Sequence, residues 1–252
     1  MLTDTHCHLY YRDLKNSLPE IIQRAENLGV NRFICVGTNM ANSLECQKLS
    51  EQYDQIYFSA GVHPHDSKDA SDDYLDQIKN FSHYDKMVAV GEMGLDYFRN
   101  ISPPEVQEQI LREQMQLANE LEKPVIFHNR DADEDVIKVL EEFPDVIGVA
   151  HCFSSNLEIA NAFLGMGYYI SFSGNLTFKN SHLPDVAKEI PLDKVLVETD
   201  SPFLSPAPFR GKPNEPGRTR FVAEKLAEIH DLTLKEIAYN TSKNTNTLFR
   251  IN

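Results

Sequence analysis

The chain has no tryptophan and only 4 cysteines among its 252 residues. These cysteines (Cys7, Cys35, Cys46 and Cys152) form no CxxC pair and no regular framework, which argues against a cysteine-rich zinc module and a disulfide-stapled scaffold. They read as reduced thiols used in packing. Positive charge is scarce too: 24 Lys and Arg against 38 Asp and Glu leave a formal charge of −14, which opposes nonspecific adhesion to nucleic acid or anionic membrane. Any polyanionic substrate must therefore be captured locally. No stretch approaches the ~20 apolar residues that cross a bilayer. The opening MLTDTHCHLYYRDLK breaks a signal-peptide core with charge and histidine. The expectation is a cytoplasmic protein with no membrane partner.

Short apolar runs rich in Val, Ile and Phe recur along the whole length: Met1 to His8, Arg32 to Thr38, Ile56 to Val62, Met87 to Gly94, Val125 to His128, Ile147 to Phe153, Tyr168 to Ser173 and Val195 to Asp200. Between them lie segments of helical period: Leu18 to Leu28, Ala41 to Tyr53, Asp72 to Phe81, Pro104 to Leu121, Asp133 to Glu142, Asn156 to Leu164 and Leu183 to Ile190. Two more close the chain, Thr219 to Ile229 and Thr233 to Phe249. Asn42 or Ser43 can cap the second helix, and Pro103-Pro104 opens the fourth. Eight strand-helix units in roughly 250 residues are the usual content of a closed (β/α)8 TIM barrel. No GxGxxG follows the first strand, which counts against an open dinucleotide-binding sheet. One α/β domain over residues 1–252 is expected, as a monomer.

Six of the 9 histidines (His6, His8, His63, His65, His128 and His151) fall at or just after an expected strand end. In a barrel those ends share the face where loops build active sites. The strand period of two puts Asp4, His6 and His8 on one face and turns Cys7 outward. Glu92 and Asp96 end the fourth strand among glycines. By parity Glu198 and Asp200 face inward at the eighth, with Asp200 at the tip. Asp96 suits either orienting a histidine or closing a turn, and Glu198 suits a supporting acid. Imidazoles with carboxylates fit zinc, manganese, cobalt or iron, whereas an all-oxygen pocket favours magnesium or calcium. The set is large enough for two ions about 3.5 to 4 Å apart, with Glu92 as the bridge.

The strings DTHCH, GVHPH, GEMGLDY, PVIFHNRD, HCFSS, ETDSP and NEP, in that order, resemble the TatD-like metal-dependent hydrolases of the amidohydrolase superfamily. The resemblance spans nearly the whole chain and implies metal-dependent deoxyribonuclease activity. It assigns His6, His8, Glu92 and Asp200 to one divalent ion and Glu92, His128 and His151 to a second, with zinc, manganese, cobalt and magnesium all open. It makes His63 the phosphate-side histidine and places His65 and Arg130 near substrate, although Arg130 also suits a salt bridge to Asp131 or Asp133. Ser155 and Pro213 depart from the family pattern, which has Gly after HCFS and a basic residue before NEP. Arg210 and Lys212 keep positive charge in that segment. Glu92 and the lack of a strand-four lysine separate the chain from carbamylated-lysine barrels.

The expected reaction is attack on phosphorus by a water acidified by the ions, with Asp200 taking the proton and His63 or Arg130 neutralising charge, so that Asp200, Glu92 and His63 form the catalytic group. The Pro-rich stretch Ser201 to Gly217 is expected to frame the cleft, with Asn214 and Glu215 turned back toward the protein and Arg210 and Lys212 available to phosphate. With few basic clusters, the substrate is expected to be a short single-stranded DNA segment or end, cut exonucleolytically. Phe153, Phe203 or Phe209 is available to stack a base, although core packing suits each as well. An ester or amide hydrolase, including one acting on aminoacyl esters, is the alternative. A zinc-holding scaffold without catalysis is the second.

Overall fold

A computed structural model describes residues 1–251. Its eight strands are β1 (Leu2–Cys7), β2 (Val30–Val36), β3 (Ile56–Ala60), β4 (Met87–Asp96), β5 (Val125–Arg130), β6 (Gly148–Ala150), β7 (Tyr169–Phe172) and β8 (Val195–Val197). They pair in sequence order, each parallel to the next, and a parallel bridge from Cys7 to Ser201 joins the two ends. The fold is a (β/α)8 TIM barrel. Its helices are α1 (Arg12–Lys15), α2 (Leu18–Asn27), α3 (Met40–Gln52), α4 (Tyr74–Phe81), α5 (Pro104–Glu120), α6 (Asp133–Glu141), α7 (Leu157–Gly165), α8 (Leu183–Glu189), α9 (Thr219–His230) and α10 (Leu234–Phe249).

Local chemistry sets the helix starts. Asn39, not Asn42 or Ser43, caps α3: its extended backbone lets the side-chain oxygen accept the Asn42 N–H at 3.0 Å. Asn156 caps α7 in the same way, and Thr233 with Glu236 forms a capping box on α10. Outward strand residues such as Phe33, Phe58, Phe127 and Ile170 pack beneath the helices. Inward ones, among them Ile34, Val88, Ile126 and Leu196, fill the barrel and meet Leu248, Phe249 and Ile251 from the chain's end. Arg32 ties this lower end together by donating to Thr3 at 3.2 Å and to Asn246 at 2.6 Å.

Two irregularities re-aim the upper ends of the strands. In β1, Asp4 pairs with Phe33 and Cys7 with Cys35, so three steps along β1 match two along β2. This bulge inserts one extra residue and reverses the facing. Asp4 therefore does not share a face with His6 and His8, as simple alternation predicts. It lies on the outer side, where its carboxylate accepts the Thr199 amide at 2.8 Å and the Thr199 hydroxyl at 2.5 Å. In β4, Val90 pairs with Val125 and Met93 with Phe127, again three steps against two, and Glu92 lies within the interruption. At Gly91 a Cβ would stand 2.3 Å from the Ile126 carbonyl oxygen, so β4 and β5 pack this closely only around glycine.

Candidate metal centre

Six side chains converge on the floor of a cleft of about 730 Å³ at the C-terminal ends of the strands. Glu92 stands at their centre. Its Oε2 lies 3.4 Å from His6 Nε2 and 3.9 Å from His8 Nε2, and Asp200 Oδ1 approaches the same two nitrogens at 3.8 and 3.3 Å. Its Oε1 lies 2.9 Å from His151 Nε2 and 3.4 Å from His128 Nδ1. One carboxylate thus presents an oxygen to each of two donor sets. His151 and Asp200 come from just beyond β6 and β8, since both strands end sooner than their apolar runs suggest. Asp200 has a left-handed backbone (φ 55°), held by its own N–H donating to the His6 carbonyl at 2.9 Å. Asn214 pins the preceding peptide by donating to the Thr199 carbonyl at 2.9 Å.

The hydrogen bonds behind the imidazoles decide which nitrogens keep a lone pair. His8 Nδ1–H donates to the Val36 carbonyl at 2.9 Å, which leaves Nε2 as the donor atom. His151 Nδ1–H points at Glu198 Oε1, 3.3 Å away, with the same result. His128 is reversed: Nε2–H donates to Asp96 Oδ2 at 3.1 Å, so Nδ1 faces Glu92. His63 differs from these three. Its Nδ1 accepts the His65 amide at 3.1 Å, so a neutral His63 carries its proton on Nε2, the atom 3.4 Å from Glu92 Oε1. It stands among the donor atoms as a hydrogen-bond donor.

Burial and charge act against each other throughout this cluster. Burial alone would raise the Glu92 carboxyl, but His151, His63 and His6, with a hydrogen bond from His128, hold it well below the usual carboxylate range. Asp200 is held low against its own burial by His8 and His6. Burial depresses His6 and His63. In His8, His128 and His151 burial is outweighed by neighbouring carboxylates, which raise these imidazoles. His6 Nε2 and His8 Nε2 lie 3.2 Å apart between two ionised carboxylates. A divalent cation satisfies such inward lone pairs and negative charges together, and the donor set fits zinc-type ions.

A family model described as TatD related DNase matches residues 3–250. The chain belongs to the TatD family. It is 45% identical to the uncharacterized metal-dependent hydrolase YabD of Bacillus subtilis, with 100% of each chain covered. It is 35% identical to the 3'-5' ssDNA/RNA exonuclease TatD of Shigella flexneri over 92% of each. A crystal structure of YJJV, a TatD homolog from Escherichia coli K12, superposes with a TM-score of 0.94 at 34% identity, covering 100% of this chain and 98% of that one. The protein is a metal-dependent hydrolase of this family.

Other expected TatD positions divide between the cleft and its surroundings. His65 lines the cleft and donates from Nε2 to Asp96 at 2.9 Å. Asp96 thereby serves two histidines, and its other oxygen takes the Arg99 amide at 2.8 Å. Arg130 also lines the cleft, and its guanidinium lies 3.8 Å from the centre of the Phe98 ring instead of pairing with Asp131 or Asp133. Arg210 and Lys212 are not among the lining residues. Arg210 lies over Phe178 at 3.7 Å, and Lys212 is exposed on the loop. Glu215 pairs with Arg24 at 2.9 Å. Of the three phenylalanines, Phe203 lines the cleft, whereas Phe153 is buried and Phe209 packs on Phe221. Ser155 donates from its side chain to Asp133 at 2.7 Å, a loop contact that glycine lacks, whereas the Pro213 contact, a carbonyl accepting from Arg218 at 2.6 Å, is one that any residue offers. Sequence reasoning passed over Arg99 and Tyr11 as lining residues. The Tyr10-Tyr11 pair, one residue beyond the HxH, was the available signal for the second.

Proposed function

We propose that this protein is a phosphodiesterase acting on the end of a single strand of DNA, using two divalent ions. The observation that carries the reading is Glu92, which turns one oxygen to each donor set at the floor of an open cleft. His6, His8 and Asp200 would hold one ion and His128 and His151 the other. Zinc, manganese, cobalt or magnesium would supply Lewis-acid polarisation of the phosphoryl group and acidify water. Asp200 is the base, being ionised and at the cleft floor. His63 presents Nε2–H and stabilises a non-bridging phosphate oxygen as negative charge develops.

The walls support nucleic acid as the substrate. Two dications balance the lining carboxylates Asp66, Glu92, Asp96 and Asp200, which leaves Arg99 and Arg130 as positive charge facing a phosphate. Tyr11 and Phe203 meet edge to face at 5.4 Å beside His8 and offer partly exposed rings to a base. A cleft of about 730 Å³ encloses a small segment and not a duplex, in keeping with a net charge of −14. The test is a time course on end-labelled single strands beside a covalently closed circular strand, with Glu92→Ala as the control. Stepwise loss from the end supports the reading. Rapid cutting of the circle overturns end-directed action, and inertness on both strands with turnover of esters or amides overturns phosphodiester chemistry.

A further inference from the structure

Besides His63, four imidazoles surround Glu92, and a second acid lies behind them. Three have an anchor on the nitrogen turned away from the donor set: Val36 for His8, Asp96 for His128 and Glu198 for His151. His6 has none among the described residues, and its Nδ1 is a buried polar atom without a partner. A buried polar atom left unpaired is costly, so such a vacancy needs an explanation. Glu198 has the complementary vacancy. Its Oε1 takes the Cys152 amide at 2.8 Å and faces His151 Nδ1, whereas its Oε2 is buried without a partner among the described residues.

Ring geometry places the two vacancies on the same side of the cluster. The His6 and His151 rings stack with centroids 3.9 Å apart and planes within 16°. Both rings point Nε2 at Glu92, at 3.4 and 2.9 Å, so their Nδ1 edges turn away from it together. Glu198 meets one of those edges and is itself wholly buried.

We propose that Glu198 is a shared positioning residue, holding His151 through Oε1 and His6 through Oε2 when the centre is loaded, and so fixing one histidine of each donor set with one carboxylate. Hydrogen bonding of this kind sets both the tautomer and the aim of a ligating imidazole. In His6 it puts the proton on Nδ1 and frees the Nε2 lone pair. The inference rests on the two-ion part of the reading above and is independent of the substrate.

The test is titration of the metal-free protein with zinc alone, by calorimetry and against a competing chelator, for wild type, Glu198→Gln and both in a His128→Ala background that isolates the His6 set. In Glu198→Gln the amide oxygen can stay with Cys152 N–H, which turns an NH2 toward His6. The expected result is roughly 10- to 100-fold weaker zinc binding at the His6 set, with the same loss in the His128→Ala background, while the His151 set keeps an acceptor in the amide oxygen and loses less. Weakening confined to the His151 set overturns the proposal. Wild type that takes up fewer than two zinc ions refutes the two-ion reading and this inference with it. Should Glu198→Gln not fold, the zinc-loaded wild type labelled with 15N-histidine decides: a His6 Nδ1 proton as far downfield as that of His151 is expected, and one at the position of an unbonded imidazole overturns the assignment.

Discussion

Replacing Gly94 with alanine tests how closely β4 and β5 must approach for the centre to assemble. Gly94 has a φ of +135°, which side chains of L residues rarely adopt, and an added Cβ would stand 2.0 Å from the His128 carbonyl oxygen and 2.8 Å from that residue's backbone carbon and nitrogen. No flexible side chain can yield there, so the strands must separate by about 1.4 Å to restore an ordinary contact of 3.4 Å. Backbone strain of about 1–3 kcal/mol adds to an overpacking cost of similar size, for a total loss of roughly 2–6 kcal/mol. At this chain length, about 2 °C per kcal/mol, that corresponds to a Tm lower by roughly 4–12 °C. The displaced strand carries His128, so the donor set on Glu92 Oε1 should also lose its ion first. The assay pairs thermal unfolding with elemental analysis, using Gly211→Ala as the control, because Gly211 has positive φ (+82°) but nothing within 4 Å of an added Cβ. If Gly94→Ala loses no more stability than the control and keeps its full metal content, the close-approach argument is wrong.

Three further outcomes are expected. His128→Ala should empty one metal site while Cys7→Ala, whose side chain lies under the helices, keeps both, as elemental analysis would read; equal loss would refute the β1 register. Metal affinity should fall as pH drops from neutrality, because His8, His128 and His151 have raised pKa values and bind protons that the ion must displace; zinc titrations at several pH values check this, and a flat profile down to pH 5 contradicts it. Substituting Arg99 and Arg130 together should raise KM for single-stranded DNA and flatten its salt dependence by roughly 0.7 in log–log slope per lost phosphate contact, whereas Arg210 with Lys212, which lie outside the cleft, should leave the slope unchanged.

The barrel was legible because its strands are apolar runs separated by helical periods, a pattern that survives small errors at the boundaries. The cluster around Glu92 was legible for a related reason: each histidine or carboxylate in it stands where an apolar run stops. Three things were not. The bulge in β1 changes which face Asp4 takes, and it arises from pairing with β2, which strand alternation does not contain. The placement of the His63 proton on Nε2 depends on a backbone amide two residues onward and is set by the turn that follows β3. Arg210 and Lys212 have the right charge for phosphate, yet the Pro-rich loop folds so that Arg210 rests on Phe178 and Lys212 stays outside the cleft.

The two bulges act as phase shifters. Across each of them the alternation slips by one residue, and the slip aims His6, His8 and Glu92 at a common point. Scaffold and chemistry in these strands are therefore written in different reading frames of the same pleat. Transplanting Asp4–His8 and Val90–Asp96 into another eight-stranded barrel would transfer the aim only if the surplus residue went with each segment. Trimming either strand to regular alternation would turn its donors toward the helices while the lower packing stayed unchanged.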